Sequence, residues 1–183
     1  MKVAICDYGA GNVRSVQVAL ERLGTEARPT SDPAAVWEAA LAVLPGVGSA
    51  ASAMRALESS GVAQALCERF GAGRPILGIC LGLQLALERS EEDGGVACLG
   101  LLPGQAVRLR DGRVPRIGWA QVEPGRDAFY FAHSYVAETE AATAYSEGLV
   151  AEARAGAFTG VQFHPEKSSA AGGRYLQGCL SRA

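Results

Sequence analysis

The sequence is short of several things, and each shortage removes a class of reading. No apolar run is long enough to span a bilayer, so no transmembrane helix is expected. The N-terminus, MKVAICDYGAGN, has too brief an apolar stretch for a secretory signal, because polar residues and glycines interrupt it at once. No block of like charge occurs: 17 basic residues stand against 19 acidic ones, a formal net charge of −2. That argues against nucleic acid as a partner, and the lack of a basic amphipathic helix argues against a membrane surface. The five cysteines, Cys6, Cys67, Cys80, Cys98 and Cys179, are odd in number, form no CxxC pair and have no histidine at ligand spacing. A disulfide framework and a structural zinc site are both disfavoured, and a reducing, cytoplasmic setting is the simplest. Histidine occurs only twice, at His133 and His164.

What is present reads as a single α/β domain over residues 1–183, of which 49% are hydrophobic, enough for a sizeable core. KVAIC (2–6) has strand length. DYGAGN (7–12) is a loop, with Asn12 placed to cap a helix carrying Val13, Val16, Leu20 and Leu23 on one face, and Gly24 ending it. A short strand near 25–28 follows, then the buried-type strand LAVLP (41–45) and the glycine loop PGVGS. Helices are expected near 50–58 and 61–70. The strand PILGI (75–79) runs into a helix, CLGLQLALERS, with Leu81, Leu85 and Glu88 on one face. This rhythm predicts a mostly parallel central sheet flanked by helices, with the loops after the strands gathered on one edge, where ligands bind. The second half predicts an antiparallel extension. Asp111-Gly112 signals a hairpin, DAFYFAHSYV (127–136) favours strand, and Ala155-Gly156 marks a second turn. A last helix from about 168 to 181 is weakened by Gly172 and Gly173.

Gly78-Ile79-Cys80-Leu81-Gly82 fits the G-x-nucleophile-x-G elbow, with Cys where hydrolases more often carry Ser. The glycines permit the sharp strand-to-helix turn, and a thiol at a helix N-terminus meets free N–H groups and the positive dipole end. The N–H of Leu81 is then an oxyanion donor. The elbow alone leaves a second reading open: a small thiol packed behind a core strand. A nucleophilic thiol needs a base. His164, in GVQFHPEKS, follows a strand-like run, and Glu166 two residues on faces the same side if the backbone stays extended. That carboxylate would hold the imidazole tautomer. His133, in FAHSYV, reads as a half-buried, hydrogen-bonded histidine and remains the competitor for the base.

DYGAGNVRSV, PGVG, GICLGLQL, PRIGW, YFAHSY and VQFHPEKS are spread along the whole chain. Together they resemble the class I, triad-type glutamine amidotransferases, and among them the glutaminase subunits of imidazole glycerol phosphate synthase. The resemblance implies hydrolysis of L-glutamine to glutamate and ammonia. The ammonia would pass through a channel to a partner cyclase subunit, a (β/α)₈ barrel of histidine biosynthesis, in a heterodimer. No metal or cofactor is implied. Cys80 becomes the nucleophile, His164 the base and then acid, and Glu166 the orienter. Val47 and Leu81 become oxyanion donors, and Gly48, Gln84, Glu92, His133, Ser134 and Tyr135 contacts for glutamine. For Glu92 an exposed acidic loop residue is the competing reading. Asn12, Trp119 and Lys167 become partner contacts; their plainer readings are a helix cap, a core residue and a solvated charge. Because PGVG is rich in glycine, its peptide is expected to reorient cheaply, so that partner binding re-aims Val47 N–H.

Two departures stand out. Ala120 follows PRIGW where the family often has Asn, and SAASAM follows PGVG where an aromatic is common. Two other functions compete. One is the glutaminase subunit of the pyridoxal phosphate synthase, against which DYGAGN, PRIGW and FAHSY argue. The other is a non-catalytic binding domain of the same fold, against which the intact Cys80, His164 and Glu166 argue.

Overall fold

The computed structural model describes residues 1–9, 12–125 and 127–183. Ala10 and Gly11 of the DYGAGN loop, and Arg126, lie outside the described residues. The first half alternates as predicted: β1 (Lys2–Cys6), α1 (Val13–Glu21), β2 (Glu26–Thr30), α2 (Pro33–Glu38), β3 (Leu41–Leu44), α3 (Ala50–Ser59), α4 (Val62–Gly71), β4 (Ile76–Ile79) and α5 (Leu81–Ala86). The second half is mainly strand: β5 (Arg89–Ser90), β6 (Val96–Ala97), β7 (Gln105–Arg108), β8 (Arg116–Gln121), β9 (Ala128–His133), β10 (Tyr135–Glu138), β11 (Ala142–Ser146), β12 (Leu149–Ala155) and β13 (Phe158–Val161). The helix α6 (Ser169–Leu180) closes it.

Seven strands form the main sheet in the order β11-β12-β13-β4-β3-β1-β2. The five from β13 to β2 are parallel, and β12 and β11 extend the sheet antiparallel. β3 and β4 are buried at every residue, as parallel strands covered on both faces must be. Two apolar clusters, one on each face of the sheet, form the core. Because β1, β3 and β4 are parallel, the loops after Cys6, Leu44 and Ile79 meet on one edge. Tyr8 Oη, just past β1, donates to Pro45 O just past β3 at 2.6 Å. Among the described residues, no helix is long and apolar enough to cross a membrane.

Several expectations change. The second strand runs from Glu26 to Thr30, and the unforeseen α2 follows it, started by Pro33 at its first turn and by Asp32, whose carboxylate accepts from Ala34 N at 2.9 Å. Fully buried Arg69 donates to the carbonyls of Val36, Trp37, Ala39, Ala40 and Pro75, fastening the end of α2 to the strands beside it. Among the described residues Asp111-Gly112 closes no hairpin: β7 pairs with β10 and β5, whereas β8 pairs with β9, so the chain between them crosses from one sheet to another. The aromatic run 127–136 is likewise split between those sheets at Ser134. The turn at Ala155-Gly156 does close a hairpin, with Ala155 opposite Phe158. α5 is only six residues long and ends before Glu88, whose carboxylate instead accepts from Gly104 N at 2.9 Å.

The last helix forms despite its glycines, and Gly172 explains why. A Cβ there would drive into the carbonyl oxygen of Pro165. The residue that lowers helix propensity is what lets α6 lie against the segment carrying His164.

Candidate active site

Cys80 sits at the turn between β4 and α5 with φ 54° and ψ −108°, a strained conformation for a residue with a side chain. Its neighbours make the turn possible. A Cβ on Gly82 would strike the carbonyl oxygen of Leu44 in β3, and one on Gly78 would lie 2.6 Å from the Phe158 ring. Cys80 N donates to Val161 O at 2.7 Å, pinning the elbow to β13. The thiol is 5% exposed.

His164 lies three residues beyond β13. Its backbone N–H donates to Tyr130 O at 2.8 Å, and its own carbonyl accepts from Ser168 Oγ at 2.6 Å. Nδ1 is 2.8 Å from Glu166 Oε1, with both side chains buried. The pair forms by a route other than the one expected. Pro165–Lys167 is a 3₁₀ turn, and that turn, rather than extended backbone, brings Glu166 back under the imidazole. Asn12 corrects a second expectation. It takes a left-handed conformation ahead of α1 and makes no side-chain cap. Its amide donates instead to Glu166 Oε1, the oxygen that holds His164. Burial pushes the His164 imidazole down, but the nearby Cys80 thiol and Glu166 carboxylate outweigh it and lift its pKa to about 9. Nε2 has no hydrogen-bond partner among the described residues.

His133 lacks such support. Burial, outweighing its hydrogen bond to Tyr135 O, pushes it down to about 4, with Arg116 and His164 adding to the fall. It is therefore neutral at pH 7. Because Tyr135 O can only accept, the ring proton sits on Nδ1, 2.9 Å away. A histidine this weakly basic, with no carboxylate bonded to it among the described residues, is a poor general base beside His164.

One cavity of ≈ 270 Å³ gathers Cys80 with Val47, Gly48, Leu81, Gln84, Glu92, His133, Ser134 and Tyr135. All of these were singled out in the sequence. Pro115, Ile117 and Ala132 complete its wall and were missed. The signal for the first two lay in PRIGW, where Pro115 and the alternate residue Ile117 precede Trp119. Gln84 Nε2 donates to Tyr135 O at 2.9 Å and Gln162 Oε1 at 3.1 Å, so only its oxygen remains for a ligand. Glu92 divides its role: it faces the cavity and accepts from Ala50 N at 2.8 Å. Burial pushes its pKa up. Neighbouring Asp93 accepts from Ser49 Oγ at 2.5 Å and Ala51 N at 3.1 Å, and these bonds lower its pKa.

The sequence profile described as "Glutamine amidotransferase class-I" matches residues 4–181. The chain belongs to the class-I glutamine amidotransferase family. Within it, "Imidazole glycerol phosphate synthase subunit HisH" of Moorella thermoacetica is 47% identical, over 93% of this chain and 90% of that protein. The HisH subunit of Symbiobacterium thermophilum is 45% identical, over 96% of this chain and 91% of that one. A solved structure described as a glutamine amidotransferase superposes with a TM-score of 0.83 at 21% identity, covering 98% of this chain and 97% of that chain, and so agrees with the fold.

Ile117, which lines this cavity, and Trp119 project from one side of β8, 62% and 54% exposed. The core reading of Trp119 is thus corrected: Ile117, Trp119 and Gln121 alternate outward while Arg116, Gly118 and Ala120 turn in. Lys167 is exposed, its ammonium 6.0 Å from the centre of the Tyr130 ring, and Tyr130 meets Trp119 edge-on.

Proposed function

We propose that this chain, acting as one amidotransferase domain, is the glutaminase subunit of an imidazole glycerol phosphate synthase in the cytoplasm. The observation that carries the reading is the single cavity in which Cys80 meets Val47 and Leu81, with the His164–Glu166 pair behind the thiol. The identity to HisH subunits over nine-tenths of their length supports the pathway assignment.

In this mechanism Cys80 gives its proton to His164, and the thiolate Sγ attacks the side-chain amide carbon of glutamine. The amide oxygen takes up the electron pair between the N–H groups of Val47 and Leu81. His164, protonated and held by Glu166, gives its proton to the amide nitrogen; the C–N bond breaks and ammonia leaves. His164 then takes a proton from water, whose oxygen attacks the thioester, and the C–S bond breaks to release glutamate. Glu92 and the free oxygen of Gln84 accept from the substrate α-ammonium, while His133, Ser134 and Tyr135 line its other side. Ammonia passes to a (β/α)₈ cyclase docked on Trp119, Ile117, Asn12 and Lys167.

That partner also re-aims the Val47–Gly48 peptide. Pro45 is held by Tyr8, while Ser49, Ala50 and Ala51 are held by Glu92 and Asp93. Between these clamps, neither Val47 nor Gly48 has a hydrogen bond among the described residues, and Gly48 sits at φ +100°. A peptide fixed at both ends and free between is suited to a flip. The test is co-purification with a cyclase barrel and measurement of glutamate release with and without the synthase ligand. Release that rises with the barrel and is absent in Cys80→Ala is expected. Equal release by Cys80→Ala would rule out catalysis at this site.

A further inference from the structure

The triad leaves one polar side chain at the nucleophile without a task. Gln162, the residue after β13, is fully buried. Its Nε2 is 3.6 Å from Cys80 Sγ, and its Oε1 accepts from Gln84 Nε2 at 3.1 Å. Its backbone N–H is spent on Ala151 O at 2.9 Å.

The orientation of this amide follows from its partners. A backbone carbonyl can only accept, so Tyr135 O calls for the NH₂ end of Gln84. The same NH₂ group offers its second hydrogen to Gln162, which must present oxygen there. The NH₂ of Gln162 is then left to face the sulfur. His133 Nδ1–H donates to the same Tyr135 carbonyl, so that acceptor is filled from both sides. A chain of hydrogen bonds thus runs from a fixed backbone dipole to the nucleophile, and no member can flip alone without opposing two like groups.

A donor aimed at sulfur favours the anion over the thiol. The environment makes that contribution matter. Cys80 is nearly excluded from solvent, so water supplies few hydrogen bonds to a charged sulfur. We propose that Gln162 is a further catalytic residue of this site: a fixed amide donor to Cys80 Sγ, with its polarity set from Tyr135 O through Gln84. This rests on Cys80 being the nucleophile. The donor acts twice. It steadies the sulfur before attack. It acts again when the thioester is hydrolysed, where the C–S bond breaks and its electron pair returns to sulfur.

The substitutions separate donor from filler. Gln162→Leu removes both hydrogen bonds. Gln162→Glu keeps an acceptor for Gln84 but sets a carboxylate against the sulfur. The first readout is iodoacetamide alkylation of the intact chain across pH, followed at Cys80 by mass spectrometry, which needs neither glutamine nor partner. A donor role predicts about tenfold slower alkylation at neutral pH for Gln162→Leu, the loss of one hydrogen bond to a charged group. Gln162→Glu is expected to be slower still, with both profiles displaced to alkaline pH. In the cyclase complex, kcat for glutamate release falls while KM for glutamine moves little. A filling role predicts the reverse ranking, because Glu keeps one of the two bonds. Unchanged profiles, or Leu more impaired than Glu, would overturn the assignment. Should either variant melt well below the parent, Gln84→Leu carries the test from one residue away. It frees the Gln162 amide to turn and is expected to slow alkylation severalfold; no change there overturns the proposal too. If the parent with cyclase released no glutamate, the functional reading would fall, while alkylation would still decide the donor.

Discussion

The two walls of the cavity are built on opposite plans. The wall of Cys80 and Gln84, with Gln162 bonded to both, is buried and bonded at nearly every polar atom. The wall of Val47 and Gly48 is more open and, among the described residues, unbonded between two clamps. The proposed control by a partner calls for one part held still and another part able to move. On the rigid side Cys80 is fixed by the bond of its N–H to Val161 O and by the Gln162 amide. In the proposed mechanism the soft wall sets whether the oxyanion has two donors or one.

The sharpest test makes the same small change on each wall. Gly82→Ala puts a methyl group into the Leu44 carbonyl oxygen, where β3 and the elbow touch. With no room to relax, it is expected to cost about 3 kcal/mol or more in urea unfolding, beyond ordinary overpacking. Gly48→Ala meets nothing within 4 Å, but it places a side chain at φ +100°. Its expected cost is about 1–2 kcal/mol of stability. Its main effect is on rate: partner-stimulated glutamate release falls by about 10²-fold, as for loss of one oxyanion donor. If the two substitutions behaved alike, the contrast between the walls would be wrong.

A weaker blow falls on the outer support of the proposed triad. Asn12→Ala leaves Glu166 Oε1 with His164 alone and frees the imidazole to tilt. Steady-state assay of the complex is expected to show about a tenfold drop in kcat/KM, the worth of one hydrogen bond to a charged group. Weaker again is Asp93→Asn, which loosens one clamp of the soft wall without touching the cavity lining. It should lower kcat a few-fold and leave KM for glutamine nearly unchanged; a change confined to KM would place Asp93 in binding instead.

The remaining effects are in pH. His164, ordinarily near 6.5, is raised to about 9. The folded chain therefore holds that proton more tightly than the unfolded one. Its contribution to stability is full below about 6.5 and is lost as pH rises through about 9. His133 is lowered to about 4, so the folded chain resists its protonation. That contribution is full above about 6.5 and is lost as pH falls towards 4. Urea midpoints across pH should decline in both directions, with His164→Asn flattening the alkaline side and His133→Asn the acid side.

Most of the rigid wall was legible in the sequence, because its chemistry is local. An elbow needs glycines on either side of its nucleophile, and Gly78 and Gly82 stand where the steric demand puts them. His164 and Glu166 were recognisable as a pair, but the 3₁₀ turn joining them was not, since spacing two suits an extended strand as well. What escaped depends on distant partners. Asn12 reads as a cap until Glu166, far along the chain, takes its amide. Gln162 sat in plain view as a polar residue within an apolar run, yet only the fold places it against Cys80. The hairpin at Asp111-Gly112 failed for the same reason: a turn signal fixes a bend, and pairing was decided by β9 and β10.

The exposed Trp119 has an optical consequence. The chain has two tryptophans, and the other, Trp37, lies on α2 with the Arg74 guanidinium 5.2 Å from its ring centre. In a Trp37→Phe background, tryptophan fluorescence would come from one exposed indole on β8, the strand whose Ile117 lines the rim of the cavity. A rim that becomes covered would turn that emission bluer in real time, so a docking event and the rate it unlocks could be timed in one cuvette without a label.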